Sequence, residues 1–226
     1  EEVHALVGAG AREVVLTGIN LGSYCFEGVA LAGLLENLLE TTSATVRFRV
    51  SSVEPRDVDD ALIDLMARSN GRICRHLHLP LQSGSSRVLK EMARPYKADY
   101  FEKLVAKLRA AIPGLSLSTD IIVGFPGETE EDFQETCRVA EACRFSKIHV
   151  FRYSKREGTP AAKRTDQVAP EVKADRAKRL EALGAKLRAD DFAARKGTVE
   201  YVLVETDGVA TTESYHTVAA PAQALP

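Results

Sequence analysis

Residues 116–132 read SLSTDIIVGFPGETEED. Leu117, Ile121, Ile122 and Val123 make the apolar run of a buried strand, into which Ser118, Thr119 and Asp120 are set. Gly124-Phe125-Pro126-Gly127 then breaks the chain. Thr129, with Asp132 three residues later, fits a capping box that opens a helix carrying Phe133, Val139 and Ala140. Strand, glycine turn and helix in this order are the repeating unit of a parallel sheet. A carboxylate inside such a strand costs free energy unless something pairs with it. Asp120, near the strand's carboxyl end and just before a free helix N-terminus, therefore marks a ligand site. The alternative is an aspartate that caps its own turn.

The same alternation extends in both directions. A helix over about 2–9 leads through Gly10 to a strand at 13–17, and leucines at 3–4 spacing predict a helix over 30–41. A strand at 46–51 runs into SVEPRD, where Pro55 and Asp57 open a helix over 57–68. HLHLPL (76–81) is a third strand, followed by helices over 85–93 and 98–111, the second stopped by Pro113-Gly114. The central strand 116–123, a helix over 129–143 and a strand at 146–152 complete the array. Five strands separated by helices imply an α/β fold with a parallel sheet, closed as a barrel or open and doubly wound. Both place the site at the carboxyl ends of the strands. Those ends carry Asn20, Ser51 and Glu54, Gln82 and Ser83, Asp120 and Gly124, and finally Arg152, Tyr153 and Ser154. Five polar sets converging on one edge predict a small polar ligand.

The composition sets the outer bounds. The chain has 226 residues, 45% hydrophobic and 27% charged, with a net charge of −2. No run approaches the ~18 apolar residues of a membrane span, and the acidic amphipathic start is no signal peptide; a soluble cytoplasmic protein without a membrane partner is expected. Cys25, Cys74, Cys137 and Cys143 are too scattered for a disulfide framework or a C-x-x-C site, and are read as buried free thiols. His76 and His78 share a strand face without an acidic or third imidazole partner nearby in sequence, so packing or ribose contact is expected of them rather than metal binding. GAGA at 8–11 ends a helix before a strand, which is not the order of a dinucleotide fingerprint. From Lys147 to Arg164, six basic residues (Lys147, Arg152, Lys155, Arg156, Lys163 and Arg164) stand against the single acid Glu157. This stretch reads as a phosphate-backbone contact surface or as a solvated face. A helix over 171–195 follows, then an alternating strand at 198–205, a hairpin turn at Asp207-Gly208, and a final AAPAQALP.

EVVLTGINLGSY, FRVSSVEP, HLHLPLQSGSSRVLKEMARPY, LSTDIIVGFPGETEEDF and IHVFRYSKREGTPAA stand in the order, and nearly the wording, of the radical S-adenosylmethionine methylthiotransferases, over roughly residues 1–205. LTGINLGSY with SSVEP most resembles the branch that acts on N6-threonylcarbamoyladenosine at tRNA position 37. The isopentenyladenosine-tRNA and ribosomal-protein S12 branches are the alternatives, and a non-catalytic S-adenosylmethionine- or RNA-binding module is an alternative of another class. The resemblance implies methylthiolation at C2 of the adenine with S-adenosylmethionine and two [4Fe-4S] clusters, acting on a tRNA anticodon stem-loop; it identifies neither the sulfur donor nor the reductant. The cysteines that hold the clusters in the family have no counterpart here, so the resemblance implies a fragment, inactive alone. Its parts would be strands two to six of a partial (βα)6 barrel over 1–165, a linker and helix over 166–197, and a truncated TRAM-like β module over 198–226. TTESYHTV in that module resembles a TRAM strand. By resemblance Asn20, Ser51, Glu54, Gln82, Ser83, Asp120 and Gly124 would contact the cofactor. Arg152, Tyr153, Ser154, Lys155, Arg156, Lys163 and Arg164 would meet the RNA.

Overall fold

The computed structural model describes residues 1–206 and 208–220. In chain order the elements are α1 (Glu2–Gly8), β1 (Glu13–Leu16), β2 (Cys25–Phe26), β3 (Val29–Ala30), α2 (Leu31–Thr41), β4 (Arg47–Val50), α3 (Asp60–Arg68) and β5 (His76–His78). They continue with α4 (Ser86–Glu91), α5 (Ala98–Ala111), β6 (Ser116–Val123), α6 (Glu130–Cys143), β7 (Lys147–Arg152) and α7 (Pro170–Ala194). Three short strands follow, β8 (Val202–Thr206), β9 (Val209–Thr212) and β10 (Thr217–Ala219). The fold is α/β with parallel pairings β1–β4 and β6–β7. No closed ring of strands forms among the described residues.

The chain packs as two units. The first comprises Glu1–His78, Leu108–Ser116 and the described part of Gly197–Pro226. Here β1 and β4 run parallel in the register Glu13↔Arg47 to Leu16↔Val50, and parallel bridges join Phe48 to Ile73 and Ser52 to His78. Strand alternation sends Phe48 and Val50 to one face, both fully buried, and Arg47 and Arg49 to the other. Glu13 lies between the two arginines: it accepts from Arg47 Nε, and from Arg49 Nε at 2.7 Å. The remaining guanidinium nitrogens reach backbone carbonyls of the C-terminal strands. Arg47 donates to Tyr201 O at 3.0 Å and Thr211 O at 3.1 Å, and Arg49 to Thr212 O at 3.0 Å. Arg75 adds a two-pronged pair with Glu213, at 3.0 and 2.7 Å. Burial works to raise the Glu13 carboxyl, but the Arg49 hydrogen bond and the two guanidinium charges outweigh it and hold it below its usual value.

Some local expectations shift within this unit. Pro55–Asp57 is a 3-10 turn, and Asp59, not Asp57, caps α3, accepting from Leu62 N at 2.8 Å. TTESYHTV is not one strand: β9 ends at Thr212, a turn follows with Tyr215 at φ 65°, and β10 starts at Thr217. β8 and β9 pair antiparallel around Gly208, at φ 77°; Asp207 and residues 221–226 of the final AAPAQALP lie outside the described residues. Cys25 is exposed, contrary to the buried thiols expected, and Cys137 is partly exposed; Cys74 and Cys143 are buried. Burial pushes the Cys74 thiol up to about 12.

The second unit comprises Leu79–Lys107 and Leu117–Lys196. β6 pairs with β7 from Ser118↔Lys147 to Val123↔Arg152. Along β6's other edge runs 79–82, with Leu79 N donating to Ser118 O at 2.9 Å and Gln82 N to Asp120 O at 2.8 Å. Phe101, Phe133, Phe145, Leu117, Ile121 and Leu180 are fully buried. α6 begins with the expected capping box: Thr129 Oγ1 accepts from Asp132 N at 3.3 Å, and Asp132 Oδ2 accepts from Thr129 N at 2.9 Å. α7 lies along β7 and α6, with Gly184 facing Ile148.

Candidate functional site

The carboxyl ends of β6 and β7 are shaped by the turn that follows β6. Gly124 sits at φ 73°, a conformation glycine adopts freely, and a Cβ there would collide with the Lys173 side chain. Its N–H donates to Glu128 Oε2 at 2.7 Å. The same oxygen accepts from Arg176 on α7 at 2.7 Å, and Arg176 also donates to Glu128 O at 3.1 Å. Burial pushes the Glu128 carboxyl up, more than the Gly124 N–H and the Arg176 guanidinium pull it back. Tyr153 N donates to Val123 O at 2.9 Å and so extends the β6–β7 ladder past Arg152. Tyr153 O accepts from Lys173 Nζ at 3.1 Å. The helix α7 is thus tied to both strand ends.

Beside these ends lies a cavity of about 690 Å³. Gln82, Asp120, Ile122, Phe125, Phe151 and Tyr153 line it. Arg94, Arg152, Ser154 and Arg156 add polar and cationic groups. Gln82 holds φ at 66°, unusual for a non-glycine residue, while bridging to Ile121 and accepting from Ile122 N at 2.9 Å. Such backbone costs about 1–3 kcal/mol and persists where the surroundings over-determine it, as they do at ligand sites. The Phe125 and Tyr153 rings meet edge to face with centroids 5.4 Å apart, and Lys173 Nζ lies 5.1 Å from the Tyr153 centroid. Mixed donors and acceptors beside apolar rings suit a ligand with both a polar amino-acid or ribose part and a flat heterocycle.

The cavity brings together Gln82, Asp120, Arg152, Tyr153, Ser154 and Arg156 of the residues singled out from the sequence. Others lie elsewhere. Ser83 is fully buried, its hydroxyl 3.3 Å from Thr136 Oγ1 and accepting from Ser85 N. Gly124 shapes the turn without lining the cavity. Arg164 pairs with Glu91 and Asp166, and Lys155 and Lys163 are outside the wall. In the first unit, Asn20 opens the 3-10 turn after β1, Ser51 N donates to Leu16 O at 3.2 Å, and Glu54 precedes the turn after β4. These three stand at the carboxyl ends of β1 and β4. Phe151, Phe125, Ile122 and Arg94 escaped the sequence reading. Period-two alternation from Tyr153 would have found Phe151, and alternation from Asp120 would have found Ile122.

The cysteines do not suit an iron–sulfur cluster. Cys25 is exposed on β2, Cys74 is buried behind Glu13, and Cys137 and Cys143 are six residues apart on α6. None of the four belongs to a group of three or more potential metal ligands among the described residues.

Residues 1–140 match the model of the radical SAM superfamily, and the chain belongs to that superfamily. Within it, the sequence is similar to tRNA methylthiotransferases. It is 45% identical over 197 residues to the threonylcarbamoyladenosine tRNA methylthiotransferase MtaB of Bacillus subtilis, covering 86% of this chain and 43% of that protein. It is 43% identical over 209 residues to the tRNA-2-methylthio-N(6)-dimethylallyladenosine synthase of Geobacillus thermodenitrificans, covering 91% of this chain and 39% of that protein. The chain therefore spans about two fifths of the length of these relatives. Among solved structures, Escherichia coli coproporphyrinogen III oxidase, a radical SAM enzyme, shares the fold: TM-score 0.60 at 17% identity, over 78% of this chain and 40% of that one.

Proposed function

We propose that this chain is part of a tRNA methylthiotransferase that modifies C2 of N6-threonylcarbamoyladenosine at position 37, and that its cavity faces S-adenosylmethionine and the RNA. The carrying observation is the wall itself, which gathers Gln82 and Asp120, the Phe125–Tyr153 ring pair and Arg94, Arg152 and Arg156 around one cavity. S-adenosylmethionine fits this donor set: its amino and ribose hydroxyl groups need acceptors such as the Asp120 carboxylate, and its carboxylate needs donors such as the Gln82 amide. When bound, it supplies the methyl group and the radical precursor. The residues of this chain bind and orient; Gln82 and Asp120 hold the cofactor's polar ends. Arg152, Ser154 and Arg156 meet the RNA, and phosphate pairing of this kind gives affinity without sequence choice. The four cysteines offer no cluster site among the described residues.

The division of roles in this reading is a cofactor-facing core over 1–165, a linking helix over 166–197 and a TRAM-like module over 198–226, distinct from the two packing units. A tRNA substrate puts the reaction in the cytoplasm, with the anticodon stem-loop as the element recognised. The branch assignment rests on LTGINLGSY and SSVEP, since 45% and 43% identity do not separate the two tRNA branches. Deleting the gene in its host and digesting total tRNA to nucleosides for mass spectrometry tests it. Loss of the 2-methylthio form of threonylcarbamoyladenosine is expected. Loss of the isopentenyladenosine form instead would reassign the branch, and an unchanged nucleoside profile would refute the activity.

A further inference from the structure

The amino ends of the first unit's strands carry a row of arginines. Arg12 stands just before β1, Arg47 opens β4, and Arg72 precedes Ile73, which bridges to Phe48. Backbone hydrogen bonds set the three side by side: Arg47 N donates to Arg12 O at 3.0 Å, and Phe48 N to Arg72 O at 2.7 Å. Together with Thr45, Asn70 and Tyr201 they line a cavity of about 360 Å³. All of its lining residues belong to the first unit, and none of them lines the cavity at the ends of β6 and β7.

The charge at this edge is unbalanced. Glu13 pairs with Arg47 but is shared with Arg49. Arg72 bonds only uncharged oxygens: the carbonyls of Leu39, Thr42, Ser43 and Val46 and the Thr42 hydroxyl, at 2.6 to 3.4 Å. Its donors are spent on the end of α2 and the start of β4, but its charge is not neutralised. Arg12 makes a single side-chain hydrogen bond among the described residues, to Thr45 Oγ1 at 3.0 Å. A guanidinium carries five N–H donors, so most of the Arg12 fork is open, at an exposed position. No aspartate or glutamate lines the cavity among the described residues.

These groups narrow the ligand. Arginines without an acid in the wall repel a cation and attract an anion. A carboxylate has two oxygens, enough for one guanidinium fork, and would leave the second charge unmet. A terminal phosphate group has three acceptor oxygens and more charge, so it can take the Arg12 fork while lying in the field of Arg72. The Asn70 amide and the Tyr201 hydroxyl are neutral donors for the remaining oxygen. We infer that this cavity binds the terminal phosphate of a small molecule, or free phosphate, with Arg12 as the gripping residue and Arg72 as the fixed charge beside it. The inference is independent of the RNA-directed reading above. Tyr201 belongs to the C-terminal segment and Arg12 to the N-terminal one, so an occupant would add to the contact that Arg47 already makes with Tyr201 O.

Calorimetric titration of the 226-residue chain with inorganic phosphate, at an ionic strength held constant with sodium chloride, tests this. Saturable binding is expected. Arg12→Gln should weaken it about tenfold, and Arg12→Lys, which keeps the charge, should lose less. Arg12 is exposed and makes one side-chain bond, so both variants should melt as wild type does without phosphate. Val202, 45% exposed, also lines the cavity. Val202→Glu adds a carboxylate to the wall and should abolish binding without touching any arginine. Wild-type affinity in both Arg12→Gln and Val202→Glu would place the phosphate elsewhere and overturn the site, as would a wild-type titration that never saturates. Repeating the titration with the chain saturated by an RNA hairpin lacking terminal phosphates separates the sources. Unchanged phosphate binding is expected there. Its loss in wild type would assign the arginines to an RNA backbone and overturn the terminal-phosphate assignment.

Discussion

Asp132 shows how much one side chain carries. It closes the capping box with Thr129, accepts from Ser85 Oγ at 2.6 Å and pairs with Arg87, which also donates to Gly127 O at 2.7 Å. Burial works to raise its carboxyl, yet Arg87, Ser85 and the Thr129 groups outweigh that and hold it far below the ordinary value. Asp132→Ala removes a cap and strands a buried serine hydroxyl and a guanidinium. A loss of about 2 kcal/mol in urea unfolding is expected, with Thr129→Ala costing about 1 kcal/mol. The capping box was legible in the sequence because its partners are three residues apart. The burial of Ser83 was not, since Thr136, which receives it, lies more than fifty positions away and is brought close only by the packing of α6. Asp120 was legible as a wall residue because a polar group in an apolar strand announces itself. Phe151 was not, because an aromatic residue in a strand reads as core.

At the scale of elements, strands and helices followed from periodicity, and their ends from cap chemistry. α5 spans the expected 98–111, and α7 (Pro170–Ala194) matches 171–195 to within one residue at each end. The sequence places the start of α3 at Asp57, after Pro55, whereas the hydrogen bond from Leu62 N puts the cap at Asp59. The attachment of α7 to the strand ends left no mark in the sequence, since Arg176 reads as one more charge on a mixed face. The pair it makes with Glu128 is nearly inaccessible, with side chains 6% and 1% exposed. Removing one member of a buried pair leaves an uncompensated charge, so Glu128→Ala should cost about 3 kcal/mol. The double substitution Glu128→Leu with Arg176→Met should recover most of it. Chemical denaturation of the single and double variants measures both, and a double variant no more stable than the single would show that the pair itself holds the turn.

In the molecule as a whole, the sequence predicted the class of fold and the edge where polar groups collect, yet it could not show that residues 197–219 complete the packing of residues 1–78. That join depends on Arg47 and Arg49, both held by Glu13, donating to backbone carbonyls more than 150 residues away. Glu13 makes it sensitive to acid. Its folded-state value is below the ordinary 4.5, so the stability it contributes is fully present above 4.5 and is lost as pH falls through the lower folded value. Wild type should lose stability in urea unfolding over that window, and Glu13→Gln, already weaker at neutral pH, should show a flatter profile. A parallel decline of both proteins would place the acid sensitivity elsewhere.

The arginine-to-carbonyl join also fixes an order of events during synthesis. Residues 1–78 leave the ribosome before residues 79–196, but the strands that Arg47 and Arg49 grip emerge only after the whole of 79–196 has been made. The second unit is complete before the first can close. Until then, Arg47 and Arg49 have Glu13 but not the carbonyls of the C-terminal strands, which leaves residues 1–78 open to chaperones and proteases while translation continues.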